Sequence, residues 1–421
     1  MTPKQKSVAI FVGGGPAPGI NGVIAAATIE ARNRGWTVVG VYDGLRWLAE
    51  GITSQTRTLR IRDVSRIHLT GGSILRISRA GNVHEPEVRD RVIRGFGELG
   101  VNAVISIGGD GTASAAAALA RHSDLRVLHV PKTIDNDLPL PGGFSTFGFQ
   151  TARHIGVEIV QHLMEDAKTT GRWYLVITMG RDAGHLALGI GKSAGATMTM
   201  IPEEFGDRRV TIDELALHIE GTILRRLADQ RRDGVVVLAE GLARKLAPEE
   251  LRQLEGGESS SRGRLHLSKL PLGSLLRDRL LATFAMRGID LNITTKVIGY
   301  ELRCAPPIPF DADYTRDLGF SAMRAIIDER PSGVVCRQGP RIRVSPFADL
   351  CDPETGRMPL RFVDTNSEGY QVATHYELRI RRRDLEEAER RARIAHVARL
   401  SEEDVVRRFG PIARDFDRPG S

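Results

Sequence analysis

Three places in this chain end an apolar run in groups able to handle a phosphate. In Val127–Asp137, Val-Leu-His-Val-Pro gives way to Lys132, Thr133, Ile134, Asp135, Asn136 and Asp137. Two carboxylates and an ammonium so close together offer a general base, a metal ligand and a neutralising cation. Earlier, Ala103–Ile107 runs into Gly108, Gly109, Asp110, Gly111 and Thr112. Gly109 and Gly111 allow backbone to approach phosphate oxygens, and Asp110 is placed to hold a Mg2+ bridging them. The third place, Gly13-Gly14-Gly15-Pro16-Ala17-Pro18-Gly19, joins Val8–Val12 to a helical pattern, where backbone N–H groups and the helix dipole favour an anion. Prolines occupy two positions of the dinucleotide fingerprint Gly-x-Gly-x-x-Gly, and a tight packing turn is the plain alternative there. Together the three point to phosphoryl transfer.

The elements that must carry these groups are short Val/Ile-rich runs alternating with Ala-rich helical patterns. Val8–Val12, Thr37–Tyr42, Ala103–Ile107 and Arg126–Val130 read as strands, with helices near 20–34, 85–99 and 112–121 between them. After the Gly/Pro-rich 139–148 a second series follows, with strands at Trp173–Thr178, Thr197–Ile201 and Gly234–Ala239 and helices near 151–168, 186–194 and 212–226. The alternation predicts βαβ units and two Rossmann-like, three-layer α/β/α lobes with mostly parallel sheets. The expected divisions are 1–145, completed by part of 300–377, then 146–300, then a charged helical extension over 378–421. Within the last, 378–408 alternates Glu and Arg at helical spacing and reads as a solvated, ion-paired helix rather than a nucleic-acid surface. Residues 246–265, polar and Gly/Ser-rich, read as a surface connection without a legible role.

A chain of 421 residues, 41% hydrophobic and 26% charged, can build a sizeable core, which argues against disordered and fibrous classes. Lys and Arg exceed Asp and Glu by 59 to 52, an excess that suits anionic substrates without requiring them. Cys304, Cys336 and Cys351 lack metal spacing and cannot form a full disulfide set, so a reducing, cytoplasmic setting is expected. No apolar run is long enough for a signal-peptide core or a membrane span. His129, His154 and His185 read as structural.

The ordered set of glycine turns, Pro131–Asp137 and Met179-Gly180-Arg181 closely resembles the phosphofructokinase family. Gly71-Gly72-Ser73, Arg79, Phe147-Gly148-Phe149, Arg172, Ala239-Glu240-Gly241 and Gly299-Tyr300-Glu301-Leu302-Arg303 extend the resemblance over most of residues 8–330. NAD and lipid kinases share only Gly-Gly-Asp-Gly-Thr, and a noncatalytic phosphometabolite sensor would be expected to lack Asp110 or Asp135. The resemblance implies transfer of a terminal phosphoryl to the 1-hydroxyl of fructose 6-phosphate, giving fructose 1,6-bisphosphate in glycolysis. It implies Asp135 as base, Thr133 against the moving phosphoryl, Asp110 as Mg2+ ligand, and Gly14, Arg79, Gly109, Gly111 and Thr112 around the donor in the first lobe. For the sugar phosphate, held by the second lobe, it implies Met179, Gly180, Arg181, Glu240, Tyr300 and Arg303. Arg172 matches an arginine that reaches across a subunit boundary in many members, so a homo-oligomer, dimer or tetramer, is expected. Thr294, where another phosphate-binding arginine would stand, departs from the pattern. Asp137 is read as support for the turn.

Two residues bear on the donor. Pyrophosphate-using members commonly carry Asp at the position of Gly111, which repels an ATP α-phosphate; Gly111 leaves that space open. Lys132 matches pyrophosphate users instead, where an ammonium stabilises the leaving phosphate. An added Lys excludes neither donor, whereas a misplaced carboxylate excludes one, so the sequence puts ATP first and pyrophosphate second.

Overall fold

The computed structural model describes residues 6–254, 270–352 and 357–413. It divides into two compact units, 1–152 with 300–361, and 153–299 with 362–421. The first boundary thus falls a few residues beyond the expected 145, and the second unit includes the tail.

In the first unit, Ser7–Val12 and Ala103–Gly108 are buried along their whole length, as continuous apolar runs require when both sheet faces are covered. Successive residues serve opposite faces. Val8, Ile10 and Val12 join one core with Ile105, Ile107, Leu128 and Val130, while Ala9 and Phe11 join another with Val104 and Val127. The sheet runs Arg341–Ser345, Gly333–Gln338, Arg126–Thr133, Ala103–Gly108, Ser7–Val12, Thr37–Val41, Thr56–Thr58, with Phe147–Gly148 pairing Arg126–Thr133 off this path. Its two outermost strands pair antiparallel and the inner pairs are parallel. The register does the positioning. Val12 lies opposite Ile107 and Gly108 opposite Pro131, so all three phosphate-handling segments begin at one level, at the carboxyl ends of adjacent strands.

The second unit has four parallel strands in the order Ile293–Ile298, Trp173–Thr178, Gly234–Ala239, Met198–Met200. Its edge is covered by the tail. Leu378 N–H donates to Thr197 O at 3.0 Å, and Thr199 N–H to the Glu377 carboxylate at 2.9 Å. Here the expected solvated helix over 378–408 is corrected. The segment forms helices Arg382–Glu386 and Ala388–Ala398 and, with Glu402–Phe409 beyond, sends Leu385, Ile394, Ala395, Ala398, Val405 and Phe409 into the core. The dense charge conceals these apolar positions, and part of the charge is itself buried. Residues 414–421 of the expected extension, and 255–265 of the connection, lie outside the described residues; 248–254 form a helix. Among the described residues no helix is long and apolar enough to cross a membrane.

Arg379, 4% exposed, bridges Glu377 at 2.7 Å and Glu204, giving two buried carboxylates a shared cation. Removing one member of such a cluster leaves uncompensated buried charge, at about 3–5 kcal/mol. Arg379→Ala is therefore expected to lower stability by roughly that amount in urea unfolding. A loss below about 1 kcal/mol, the range of surface ion pairs, would contradict this account of the tail.

Candidate active site

The first glycine turn is held by its neighbours. Gly13 N–H donates to Ile107 O at 2.9 Å, and Gly13 pairs with Ser78, which brings the exposed Arg79 beside the turn. Gly14 has φ 84°, a left-handed conformation that glycine adopts without strain. A side chain at Gly13 or at Gly108 would collide with Thr112, whose own side chain fills that space. The Thr112 side chain thus packs against both glycine turns.

Gly109 opens the helix Asp110–Arg121 as its N-cap, so Asp110, Gly111 and Thr112 form the first helical turn, where an anion is favoured. Around Gly111 a side chain would meet nothing within 4 Å. Asp110 accepts Met358 N–H on Oδ1 at 3.1 Å. The described residues contain no group of three or more His, Cys, Asp or Glu able to cage a metal. A Mg2+ ion at such a site would bind through one or two carboxylates, Asp110 among them, and take its other ligands from phosphate and water.

Strand Arg126–Thr133 delivers Lys132, Thr133 and Asp135, which are 3%, 8% and 7% exposed. Lys132 Nζ donates to Gly15 O, placing a buried ammonium at the glycine turn, close to Gly14 as well. The Thr133 hydroxyl accepts Asp135 N–H at 3.0 Å and fixes the bend that carries Asp135. Asp137 is 2% exposed, and its charge acts on the Arg361 guanidinium, in keeping with a supporting role. Arg303, expected at the sugar phosphate, lies against Gly15, where a side chain would strike its guanidinium, and 5.7 Å from the exposed Tyr300 ring.

In the second unit, three strand ends again come together. Glu240 Oε1 accepts Gly180 N–H at 3.2 Å and Arg181 N–H at 2.9 Å, tying the turn after Trp173–Thr178 to the end of Gly234–Ala239. Met179 N–H donates to Ile298 O at 3.1 Å, and its side chain occupies the space beside Gly299. Arg172 is not brought to this group. It precedes the strand that Met179 follows, about 20 Å away at strand rise, and donates to Thr170 at 2.8 Å beside Asp166. Within one chain it is outside the cluster; a role at a site requires a second copy.

Some supports left no trace in the sequence reading. Asn21 donates to Thr70 Oγ1 at 3.0 Å and accepts Ile74 N–H at 3.0 Å, pinning the Gly71–Ser73 segment. Asp311, fully buried, accepts Gly148 N–H at 2.9 Å and both Thr151 donors at 2.7 Å. A buried polar residue whose partners are 49 to 163 positions away creates no local pattern in the sequence.

His129 lies on the same strand as Lys132, fully buried, with Nδ1 3.0 Å from Ser106 Oγ. Burial first, and the Lys132 charge second, lower its pKa from 6.5 to about 3. The unfolded chain takes up this proton from about pH 6.5 downward, the folded chain only near pH 3, so stability is lost as pH falls through that window. His129→Gln is expected to flatten the decline of unfolding free energy between those limits; an unchanged slope contradicts the assignment.

Residues 7–326 match the family described as Phosphofructokinase. The chain is 49% identical over 387 residues to a pyrophosphate-fructose 6-phosphate 1-phosphotransferase of Thermotoga maritima, covering 90% of this chain and 92% of that one. It is 44% identical over 421 residues to the enzyme of the same name from Naegleria fowleri, with 97% and 96% covered. An ATP-dependent 6-phosphofructokinase of Corynebacterium efficiens is 34% identical over 346 residues, with 81% and 92% covered. Among solved structures, a pyrophosphate-dependent phosphofructokinase from Nitrosospira multiformis superposes with a TM-score of 0.67 at 15% identity, covering 87% and 88%, a likeness of fold.

Proposed function

The chain belongs to the phosphofructokinase family, and from that premise we propose that it transfers a phosphoryl group from pyrophosphate to the 1-hydroxyl of fructose 6-phosphate. The products are fructose 1,6-bisphosphate and orthophosphate. The observation that carries the donor is Lys132: its ammonium, 3% exposed, is stationed on Gly15 O inside the glycine turn. A cation fixed there in advance neutralises charge on the leaving phosphate at no further reorganisation cost. The named pyrophosphate relatives, at 49% and 44% identity against 34% for the ATP relative, support the same choice. The sequence order of donors is thereby reversed. ATP remains the second reading, favoured by the open space at Gly111.

Asp135 accepts the proton of the 1-hydroxyl as that oxygen attacks the terminal phosphorus; the bridging P–O bond breaks and its electrons leave with orthophosphate. The backbone at Gly14, Gly109 and Gly111 faces the donor oxygens, with Thr133 beside the moving group and Arg79 at the turn. Mg2+ held by Asp110 would supply charge neutralisation along the phosphates. Arg181 and the Met179–Gly180 turn, held by Glu240, receive the sugar, and Tyr300 and Arg303 supply the phosphate clamp.

Formation of fructose 1,6-bisphosphate measured in parallel with the two donors tests this directly. Turnover with pyrophosphate and little with ATP is expected; ATP alone supporting turnover overturns the donor. Lys132→Met is expected to lower kcat by about 100- to 1000-fold, the scale of losing one preorganised charge-stabilising donor. Asp135→Ser is expected to abolish turnover while calorimetry still detects fructose 6-phosphate binding.

A further inference from the structure

We propose that Arg361 is a positioning residue for the catalytic turn, acting on Asp135 through the backbone of Asn136; the inference rests on the phosphotransferase reading above. Asn136 has φ 57°, in the left-handed region, which asparagine enters more readily than other non-glycine residues and which sets the sharp bend of this turn. Its side-chain oxygen accepts Thr146 N–H at 3.2 Å, and Thr146 Oγ1 donates to Thr133 O at 2.9 Å, closing the turn from one side. Arg361 closes it from the other. Its Nε and Nη2 both donate to Asn136 O, at 3.2 and 2.8 Å, Nη1 donates to Gly143 O at 3.1 Å, and its own N–H donates to Asp137 O at 2.8 Å.

A planar guanidinium with three directed donors fixes two carbonyl groups at a set separation, which a lysine ammonium cannot do. Asp137 attracts the same guanidinium, which opposes the effect of burial on it. Three residues earlier Met358 anchors the strap. Its side chain is buried with Ala113, Leu138 and Leu140, and its N–H reaches Asp110. One short segment, the last of the first unit, therefore supports the turn that carries the base and touches the other active-site carboxylate. Asp135 needs in-line alignment with the attacking oxygen, and misplacement by about 1 Å costs on the order of 100-fold in rate.

The test compares wild type, Arg361→Gln and Arg361→Lys by steady-state kinetics with whichever donor supports turnover, and by amide hydrogen exchange. Arg361→Gln is expected to lower kcat about 10- to 100-fold with both KM values within about threefold, and to speed exchange selectively in peptides spanning 133–146. Arg361→Lys is expected to recover part of kcat and part of the protection. Wild-type kcat in Arg361→Gln, unchanged exchange at 133–146, or loosening spread evenly through the first unit would each overturn the inference. If the wild type fails to phosphorylate fructose 6-phosphate with either donor, the phosphotransferase reading falls, and the exchange arm still decides whether Arg361 holds the turn.

Discussion

The structure depends on the register of three adjacent parallel strands. Because Val12 stands opposite Ile107 and Gly108 opposite Pro131, the chain leaves the sheet three times at one level. Two of the three turns are built from glycine, which lets the backbone run close to its neighbours, and side chains enter where they hold the turns together. Thr112 occupies the volume that Gly13 and Gly108 leave open, and Lys132 spans from one strand end to the turn of another. A one-residue slip in either pairing would invert every core-facing side chain and separate Asp110, Lys132 and Asp135 from the first turn.

Charged residues in both units are used as fasteners of backbone. Lys132 holds a carbonyl, Glu240 gathers two successive N–H groups onto one oxygen, and Asp311 accepts three donors around the start of a helix. A buried charge is costly unless hydrogen-bonded, so each such residue makes its turn rigid and is itself rigid in return. That rigidity is what electrostatic catalysis asks of a site, since groups already in place need not reorganise as charge moves. His129 beneath Lys132 takes the opposite course and stays neutral.

The βαβ alternation, the two sheets, the two glycine-bearing strand ends and the charged end at Pro131–Asp137 were legible in the sequence, because buried parallel strands are apolar runs and tight turns demand glycine. The turn formed by Met179, Gly180 and Arg181 with Glu240 was legible as motifs, though only the structure shows the carboxylate receiving the two N–H groups. Arg361 and Arg379 were not legible: the partners of Arg361 lie 218 to 225 positions away, and those of Arg379 other than Glu377 lie 175 to 180 away, and such pairings leave no periodicity. The tail misled for a related reason, since its surface charge repeats at helical spacing and hides apolar anchors such as Leu385, Ile394, Val405 and Phe409. Arg172 shows another limit: the role expected of it needs a second copy of the chain, and within one chain the strand Trp173–Thr178 separates it from Met179. For the donor, Gly111 and Lys132 pull in different directions, and residue types alone do not say where an ammonium sits.

The central claim is that the fixed ammonium of Lys132 serves a leaving orthophosphate. Pyrophosphate and fructose 6-phosphate are then close to balance with their products, so the reaction must run backward without any nucleotide. Fructose 1,6-bisphosphate incubated with the protein, Mg2+ and 32P-labelled orthophosphate should yield labelled pyrophosphate together with fructose 6-phosphate. Absence of labelled pyrophosphate, with ADP required for any reversal, would contradict the account.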